Sequence, residues 1–377
     1  MRTVNPPNPA SRRPSNSDPV IVDEVKALTT LRFFAALWVF IFHIDLRWPL
    51  GLPPPLEALV KQGAVGMTVF FVLSGFVMGY AHRNGLVSLR HYAWRRFARI
   101  YPLYALSALV TLPFLAPTVS GLKAVAQIAF VVGAQALMIQ AWFPPLFSFW
   151  NIGASWSLSA EAFFYAIFPA ALLLLRRVPP TRILAVSYVL SVLPGLSFLL
   201  FPNSPSIYYS VPIFRFPEFM VGVCCACLIG GGFRLARPEL TAACATALLA
   251  IYLGWFAPAG IWVSGNIVAV PCIALCIMGL ALSPRRLLSA RPLVLLGRAS
   301  YAFYSLQPLL ILWMVNRQRG AAPWDAWVVL GISFVVLTLI ALAAHLAVEE
   351  PLRKKLLRRG RHPSIAGGTL IEPTSNR

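Results

Sequence analysis

Eleven apolar segments alternate with short polar and basic stretches along this 377-residue chain. They lie near residues 28–48, 63–81, 100–117, 124–141, 157–175, 183–201, 211–230, 241–258, 261–282, 296–314 and 326–347. Each approaches or exceeds the roughly 18–20 residues with which a helix crosses a hydrocarbon core. The pattern therefore predicts an all-α, polytopic membrane protein.

The composition supports the same interpretation. Apolar residues make up 58% of the chain and charged residues only 12%, against roughly 25% charged residues in soluble domains. A soluble protein with so little charge could not cover its own surface. A secreted domain, a cytosolic enzyme and a disulfide scaffold are therefore excluded.

The net charge of +20 comes from basic clusters between the apolar segments. This arrangement is typical of cytoplasmic loops under the positive-inside rule, so no nucleic-acid partner is predicted. The clusters are 1–32, 82–99, 176–182, 231–240, 283–298 and 349–377.

An even number of spans must separate each pair of cytoplasmic clusters. Two apolar segments lie between neighbouring clusters, except between residues 99 and 176, where there are three. The segment 124–141 is interrupted by Gln127, Gly133, Gln135 and Gln140 and is interpreted as a re-entrant or interfacial element. Ten spanning helices with both termini in the cytoplasm follow, in the inner membrane of a bacterium.

The chain divides into a disordered tail over 1–26, a transmembrane domain over 27–350 and a basic tail over 351–377. Both tails are predicted to be cytoplasmic. All six cysteines lie in apolar segments, where they are interpreted as small packing residues. No metal site is predicted.

Ionisable residues inside spans are costly and are candidate functional residues. Arg32 and His43 share a face of the first helix and are about 16 Å apart along its axis. Arg96 and Arg99 share a face at the cytoplasmic end of the third predicted helix. The remaining candidates within spans are Glu161, Arg215, Glu218 and His345.

Seven short motifs follow one another in a fixed order. They are Arg32-x10-His43, Phe70-Phe-Val-Leu-Ser-Gly-Phe76, Arg96-Phe-Ala-Arg-Ile-Tyr-Pro102, Trp156-Ser-Leu-Ser-Ala-Glu161, Arg215-Phe-Pro-Glu-Phe219 with Gly222, Gly297-Arg-Ala-Ser-Tyr301 and Glu349-Glu-Pro-Leu-Arg353. This series resembles the acyltransferase-3 family of integral-membrane acyltransferases over about residues 26–357.

The resemblance implies O-acylation, usually O-acetylation, of a carbohydrate or another hydroxyl-bearing acceptor. It implies acyl-CoA as co-substrate, with no bound cofactor, and a ten-helix core with cytoplasmic ends. The expected partners are therefore acyl-CoA, the carbohydrate or glycoconjugate acceptor and membrane lipid. Two alternatives stay open: a carrier or flippase for a lipid-linked sugar, and an acyltransferase for a small-molecule acceptor. The chain has no internal repeat of the kind common in transporters.

His43 is the predicted catalytic residue, because imidazole serves as a base near neutral pH. It acts either as the base or as a transient acyl carrier. Glu161 is predicted to orient and charge this imidazole. Arg32, Arg96 and Arg99 are assigned to the donor, because guanidinium groups suit phosphate contacts.

A further set is assigned to the acceptor or to structure. Ser300, Tyr304 and Gln307 fall on one helical stripe, and Gln307 stands where the family often has a histidine. Ser74 is not expected to be a nucleophile, because it lies outside a Gly-x-Ser-x-Gly elbow. The remaining members are Trp156, Ser157 and the Arg215–Glu218 pair, for which mutual pairing is favoured.

Overall fold

A computed structural model describes residues 26–86, 88–146, 155–200, 207–257, 265–283, 288–318 and 324–359, and within these ranges every regular element is a helix. The α-helices are α1 Lys26–Asp45, α2 Pro54–Lys61, α3 Gly66–Ala81, α4 Leu89–Thr111, α5 Leu122–Ala136, α6 Ser155–Leu175, α7 Pro180–Leu200, α8 Ile207–Ser210, α9 Pro212–Gly230, α10 Pro238–Trp255, α11 Asn266–Leu282, α12 Arg291–Gln318, α13 Ala326–Ala344 and α14 Glu350–Arg359. A π-helical turn, His345–Glu349, joins α13 to α14.

Seven helical segments in the described ranges are long and apolar enough to cross a membrane. They are Lys26–Asp45, Gly63–Ala81, Leu89–Phe114, Ser155–Leu175, Tyr208–Gly230, Pro238–Trp255 and Ala326–Arg358. Three shorter apolar helices are Leu122–Ala136, Pro180–Leu196 and Asn266–Leu282. The predicted all-α fold with several spans is confirmed, and the count of ten stays a prediction.

The outer surface of α13 is apolar. Val328, Ile332, Val335 and Leu339 are each more than half exposed and follow helical spacing. Such a stripe is unfavourable in water but is the ordinary surface of a helix in hydrocarbon. The exposed face of α13 therefore supports a membrane location.

The centre of the bundle is the crossing of α3 and α9. A Cβ atom on Gly222 would lie 1.9 Å from the carbonyl oxygen of Val72, and one on Gly75 would lie 1.9 Å from that of Phe219. Only glycine allows these two backbones to approach so closely. Gly79 also faces α9, so the Gly-x-x-x-Gly pair of α3, Gly75 and Gly79, serves close packing of these two helices.

Helices α1 and α12 lie side by side and run parallel. Gly297 approaches the carbonyl of Thr29 so closely that a Cβ would lie 2.2 Å from its oxygen. Near the other end, the Trp48 indole N–H donates to Oε1 of Gln318 over 2.6 Å. These two contacts fix the register of the pair, which positions the site described below.

The predicted re-entrant element and the predicted basic tail both contain helices. The proposed re-entrant element contains α5, whose 15 residues reach about 22 Å, less than a hydrocarbon core. The predicted basic tail begins as α14, which packs on α4 through a hydrogen bond of 2.8 Å from the Trp94 indole to the Leu356 carbonyl. The rest of that tail, residues 360–377, and residues 1–25 lie outside the described ranges.

Candidate active site

A cavity of about 640 Å³, which includes its open mouth, lies among α1, α3, α4, α6 and α12. Its polar lining contains charged groups of both signs together with several hydroxyl groups. The polar lining residues are Arg32, Ser74, Arg99, Ser157, Glu161, Ser300, Tyr301 and Tyr304, and the apolar ones are Met67, Phe70, Phe71, Ile100 and Leu158. Six residues assigned to the site from sequence therefore share one cavity.

Two hydroxyl groups hold the Glu161 carboxylate. Ser74 Oγ donates to Glu161 Oε1 over 2.8 Å, and Tyr165 Oη donates to the same oxygen. The two hydroxyl oxygens lie 3.1 Å apart. Ser74 comes from α3, whereas Glu161 and Tyr165 are four residues apart on α6, so this cluster joins two helices.

Tyr165 is a site residue that the sequence interpretation missed. Tyr165 follows Glu161 by four residues, so both side chains lie on one helical face. This spacing could have identified Tyr165 from the sequence. For Ser74, the sequence predicts only that it is not a nucleophile. The structure gives it a different position, as a hydrogen-bond donor to a cavity carboxylate.

Three arginines surround this cluster. Arg32 and Arg99 line the cavity. Arg96 lies behind them, with its guanidinium 5.6 Å from the ring centre of Tyr165 in a cation–π contact. The predicted donor-binding arginines are thus close together, but only two of them border the cavity.

The part of the cavity away from these arginines carries neutral polar groups. Ser157 Oγ and Tyr304 Oη lie 2.9 Å apart and form a hydrogen bond between α6 and α12. Beside them, the buried indole of Trp156 packs against Phe71 and Tyr209, at ring-centre distances of 6.0 and 4.7 Å. Hydroxyl groups beside aromatic rings are well suited to contact a polyol.

Arg215 and Glu218 form the predicted ion pair, at 3.1 Å and almost fully buried. Asn266 donates to the Glu218 carboxylate over 2.9 Å, and Arg215 donates to the Thr68 hydroxyl over 3.1 Å. Neither charged residue lines the cavity, although the Arg215 guanidinium lies 5.2 Å from the ring centre of the lining residue Phe71. The pair therefore supports the cavity wall from behind.

His43 is not among the residues that line the cavity. It lies three turns beyond Arg32 on α1, is partly exposed, and its carbonyl accepts a hydrogen bond of 3.3 Å from Arg47. Within the described part of the chain, the Glu161 carboxylate is bonded to Ser74 and Tyr165 and not to His43. The structure does not pair Glu161 with His43, and the expectation that Glu161 orients this imidazole stays a prediction.

Gln307 continues the stripe of Ser300 and Tyr304 along α12. Its side chain is fully buried, and neither its Oε1 nor its Nε2 atom has a hydrogen-bond partner among the described residues. The stripe that was predicted from spacing is thus present, with its first two members in the cavity lining.

A family model described as an acyltransferase domain, that of acyltransferase family 3, matches residues 25–345. Acyltransferase MdmB of Streptomyces mycarofaciens is 28% identical, over 90% of this chain and 95% of that protein. No solved structure matches.

Two further relatives carry more descriptive names. Exopolysaccharide production protein ExoZ of Rhizobium meliloti is 29% identical, over 81% of this chain and 93% of that protein. O-acetyltransferase OatA of Staphylococcus aureus is 24% identical over 87% of this chain. The alignment spans only 57% of the length of OatA.

Proposed function

The chain belongs to the acyltransferase-3 family and is an acyltransferase, and from that premise we propose that it moves an acyl group, acetyl foremost, from acyl-CoA to a hydroxyl group of a carbohydrate or glycoconjugate. The observation that carries this proposal is the cavity that joins Arg32 and Arg99 to the hydroxyl groups of Ser157 and Tyr304. It has a cationic end for a phosphorylated donor and a neutral polar end for a hydroxyl-bearing acceptor.

The donor is proposed to bind at the arginine end. Coenzyme A carries phosphate groups, and guanidinium groups bind phosphate through charge-assisted hydrogen bonds. Glu161 keeps this end from being purely cationic, and Ser74 and Tyr165 fix its carboxylate. We assign Glu161 to positioning Arg32, because its carboxylate attracts the guanidinium group of that arginine.

The acyl transfer itself is assigned to His43. The imidazole removes the proton of the acceptor hydroxyl as that oxygen bonds to the thioester carbonyl carbon, and the carbon–sulfur bond then breaks. The imidazolium returns the proton to the departing thiolate, so the histidine is regenerated. In the alternative route, an imidazole nitrogen bonds to the thioester carbonyl carbon as the carbon–sulfur bond breaks and the thiolate departs. The acceptor hydroxyl oxygen then bonds to the same carbon as the carbon–nitrogen bond breaks, and the hydroxyl proton balances the charge of the released thiolate.

The acceptor class is proposed from the relatives and the lining. OatA is named as an O-acetyltransferase and ExoZ as an exopolysaccharide production protein. The hydroxyl groups of Ser157 and Tyr304, with the nearby indole of Trp156, suit a sugar ring. These residues are the proposed acceptor side of the site.

A transfer assay tests the proposal directly. Purified protein in detergent, given acetyl-CoA labelled in the acetyl group and a sugar acceptor, should release free thiol and label the acceptor in equal amounts. A carrier for a lipid-linked sugar would release no thiol. Thiol release without any labelled sugar, glycolipid or polysaccharide would contradict the proposed acceptor class.

The donor-binding assignment predicts the effect of two substitutions. Replacing Arg32 and Arg99 together with alanine should weaken CoA binding about 10- to 100-fold, because charge-assisted hydrogen bonds to phosphate are lost. Arg90→Ala is the matched control, since Arg90 is exposed on the first turn of α4 and does not line the cavity. Equal CoA affinity in the double variant and in Arg90→Ala would contradict the assignment.

The membrane topology is also a proposal. We propose ten spanning helices, both termini in the cytoplasm and a location in the bacterial inner membrane. The support is the charge pattern together with the short α5. A reporter active only in the cytoplasm should give signal when fused after residue 178 and none after residue 145. Signal at residue 145 would contradict the re-entrant assignment of 124–141.

A further inference from the structure

The Gln307 side chain is a buried amide with unused hydrogen-bonding capacity. Both its carbonyl oxygen and its amino nitrogen are inaccessible and without a partner among the described residues. Buried polar groups are nearly always hydrogen-bonded in native proteins, so an exception needs an explanation. An unpaired donor beside an unpaired acceptor fits a ligand that supplies both, such as another amide.

The register of α1 against α12 gives the depth of this amide. Thr29 is level with Gly297, and Trp48 is level with Gln318. By this register, Arg32 is level with about residue 301 of α12 and His43 with about residue 312. Gln307 therefore lies between them, about 9 Å past the arginine and 7 Å short of the histidine.

Gln307 also lies on the face of α12 that lines the cavity. It follows Tyr304 by three residues and Ser300 by seven, so the three side chains form one stripe. Tyr304 and Ser300 line the cavity, whereas Gln307 lies one turn further toward His43. The stripe thus points from the cationic cavity in the direction of the proposed base.

We propose that Gln307 binds the pantetheine arm of acyl-CoA, by exchanging a pair of hydrogen bonds with one of its amide groups. The inference rests on the proposed function, because it takes the donor phosphates to lie at Arg32 and Arg99. The Gln307 amino group donates to the carbonyl of the arm, and its carbonyl oxygen accepts from the N–H of the arm. Gln307 is thus a donor-specificity residue.

The length of the arm agrees with this placement. It has about twelve bonds between the pyrophosphate oxygen and the sulfur, which extend to about 14 Å at the rise of an extended peptide. That length nearly covers the 16 Å or so between Arg32 and His43 along α1. The amide groups lie in the interior of the arm, so one of them reaches the level of Gln307.

The test compares two ligands on the purified full-length protein in detergent. Coenzyme A contains the arm, whereas adenosine 3′-phosphate 5′-diphosphate is the same head group without it. The Gln307→Met variant keeps the side-chain length but removes both polar atoms. We expect it to bind coenzyme A at least about tenfold more weakly and the head group with unchanged affinity, since only the arm reaches Gln307.

Gln318→Met is the matched control, because the same substitution on the same helix removes a glutamine that is already bonded, to Trp48. That variant should have a lower melting temperature and unchanged coenzyme A affinity. Gln307→Met should keep or raise the melting temperature, since methionine at a site without partners leaves no buried polar group unpaired.

Several outcomes would overturn the inference. Wild-type affinity of Gln307→Met for coenzyme A would do so while leaving the proposed donor intact. An equal loss for both ligands, or a fall in melting temperature like that of Gln318→Met, would show a structural glutamine instead. Failure of the wild-type protein to bind coenzyme A would overturn the proposed donor and this inference together.

Discussion

Replacing His43 with alanine should abolish detectable acyl transfer. Removal of a positioned general base costs about 10²–10⁴-fold in rate, and on the acyl-carrier route nothing remains to accept the acyl group. The partly exposed position of His43 near the end of α1 makes the substitution tolerable for folding. The measurement is the rate of labelled acetyl transfer by the purified variant, normalised to folded protein.

His91→Ala supplies the control for this prediction. His91 is exposed on the first turn of α4 and does not line the cavity, so the variant should keep wild-type transfer. Near wild-type transfer by His43→Ala would contradict the mechanism, whatever the family. A labelled wild-type enzyme trapped in the absence of acceptor would favour the acyl-carrier route over the base.

The apolar pattern located the membrane helices well but misplaced their ends. The predicted segment 100–117 overlaps a helix that runs from Leu89 to Thr111, and 296–314 lies in one that begins at Arg291. In both cases the helix continues into a basic stretch, because arginine has good helix propensity. Hydropathy detects the part of a helix in hydrocarbon and not the part beyond it.

Short helices were missed for a related reason. Helix α2, Pro54–Lys61, has eight residues, and α14, Glu350–Arg359, is strongly polar, so neither forms an apolar segment. Helix α14 packs on α4 through Trp94, and short polar helices depend on such packing for much of their stability. Contacts of this kind join residues far apart in the chain.

Contacts in the site were predictable where both residues lie on one helix, and were not predictable where the two residues come from different helices. Spacing alone paired Arg215 with Glu218, and the structure contains that ion pair. Nothing in the spacing indicates that Ser74 of α3 bonds to Glu161 of α6. The same limit applies to the predicted pairing of Glu161 with His43, since their relative position depends on how α1 and α6 pack.

Arg215→Met should destabilise the protein more than any surface charge change. Glu218 is fully buried beside it, so the substitution leaves a carboxylate that has only neutral partners, among them Asn266, within the described part of the chain. Breaking one side of a buried ion pair costs about 3–5 kcal/mol. The measurement is the apparent melting temperature in detergent, together with the midpoint of denaturant unfolding.

The double variant Arg215→Met with Glu218→Leu should regain a large part of that loss, because no uncompensated charge stays buried. Arg353→Met is the matched control: Arg353 pairs with Glu350 at the same spacing of three residues, but the pair is partly exposed and should be worth under about 1 kcal/mol. If the double variant were as unstable as Arg215→Met alone, the cost would lie in lost packing of Arg215 against Phe71 and Tyr209 and not in a stranded charge. The ordering of the three variants therefore decides whether this pair stabilises the cavity wall by charge or by shape.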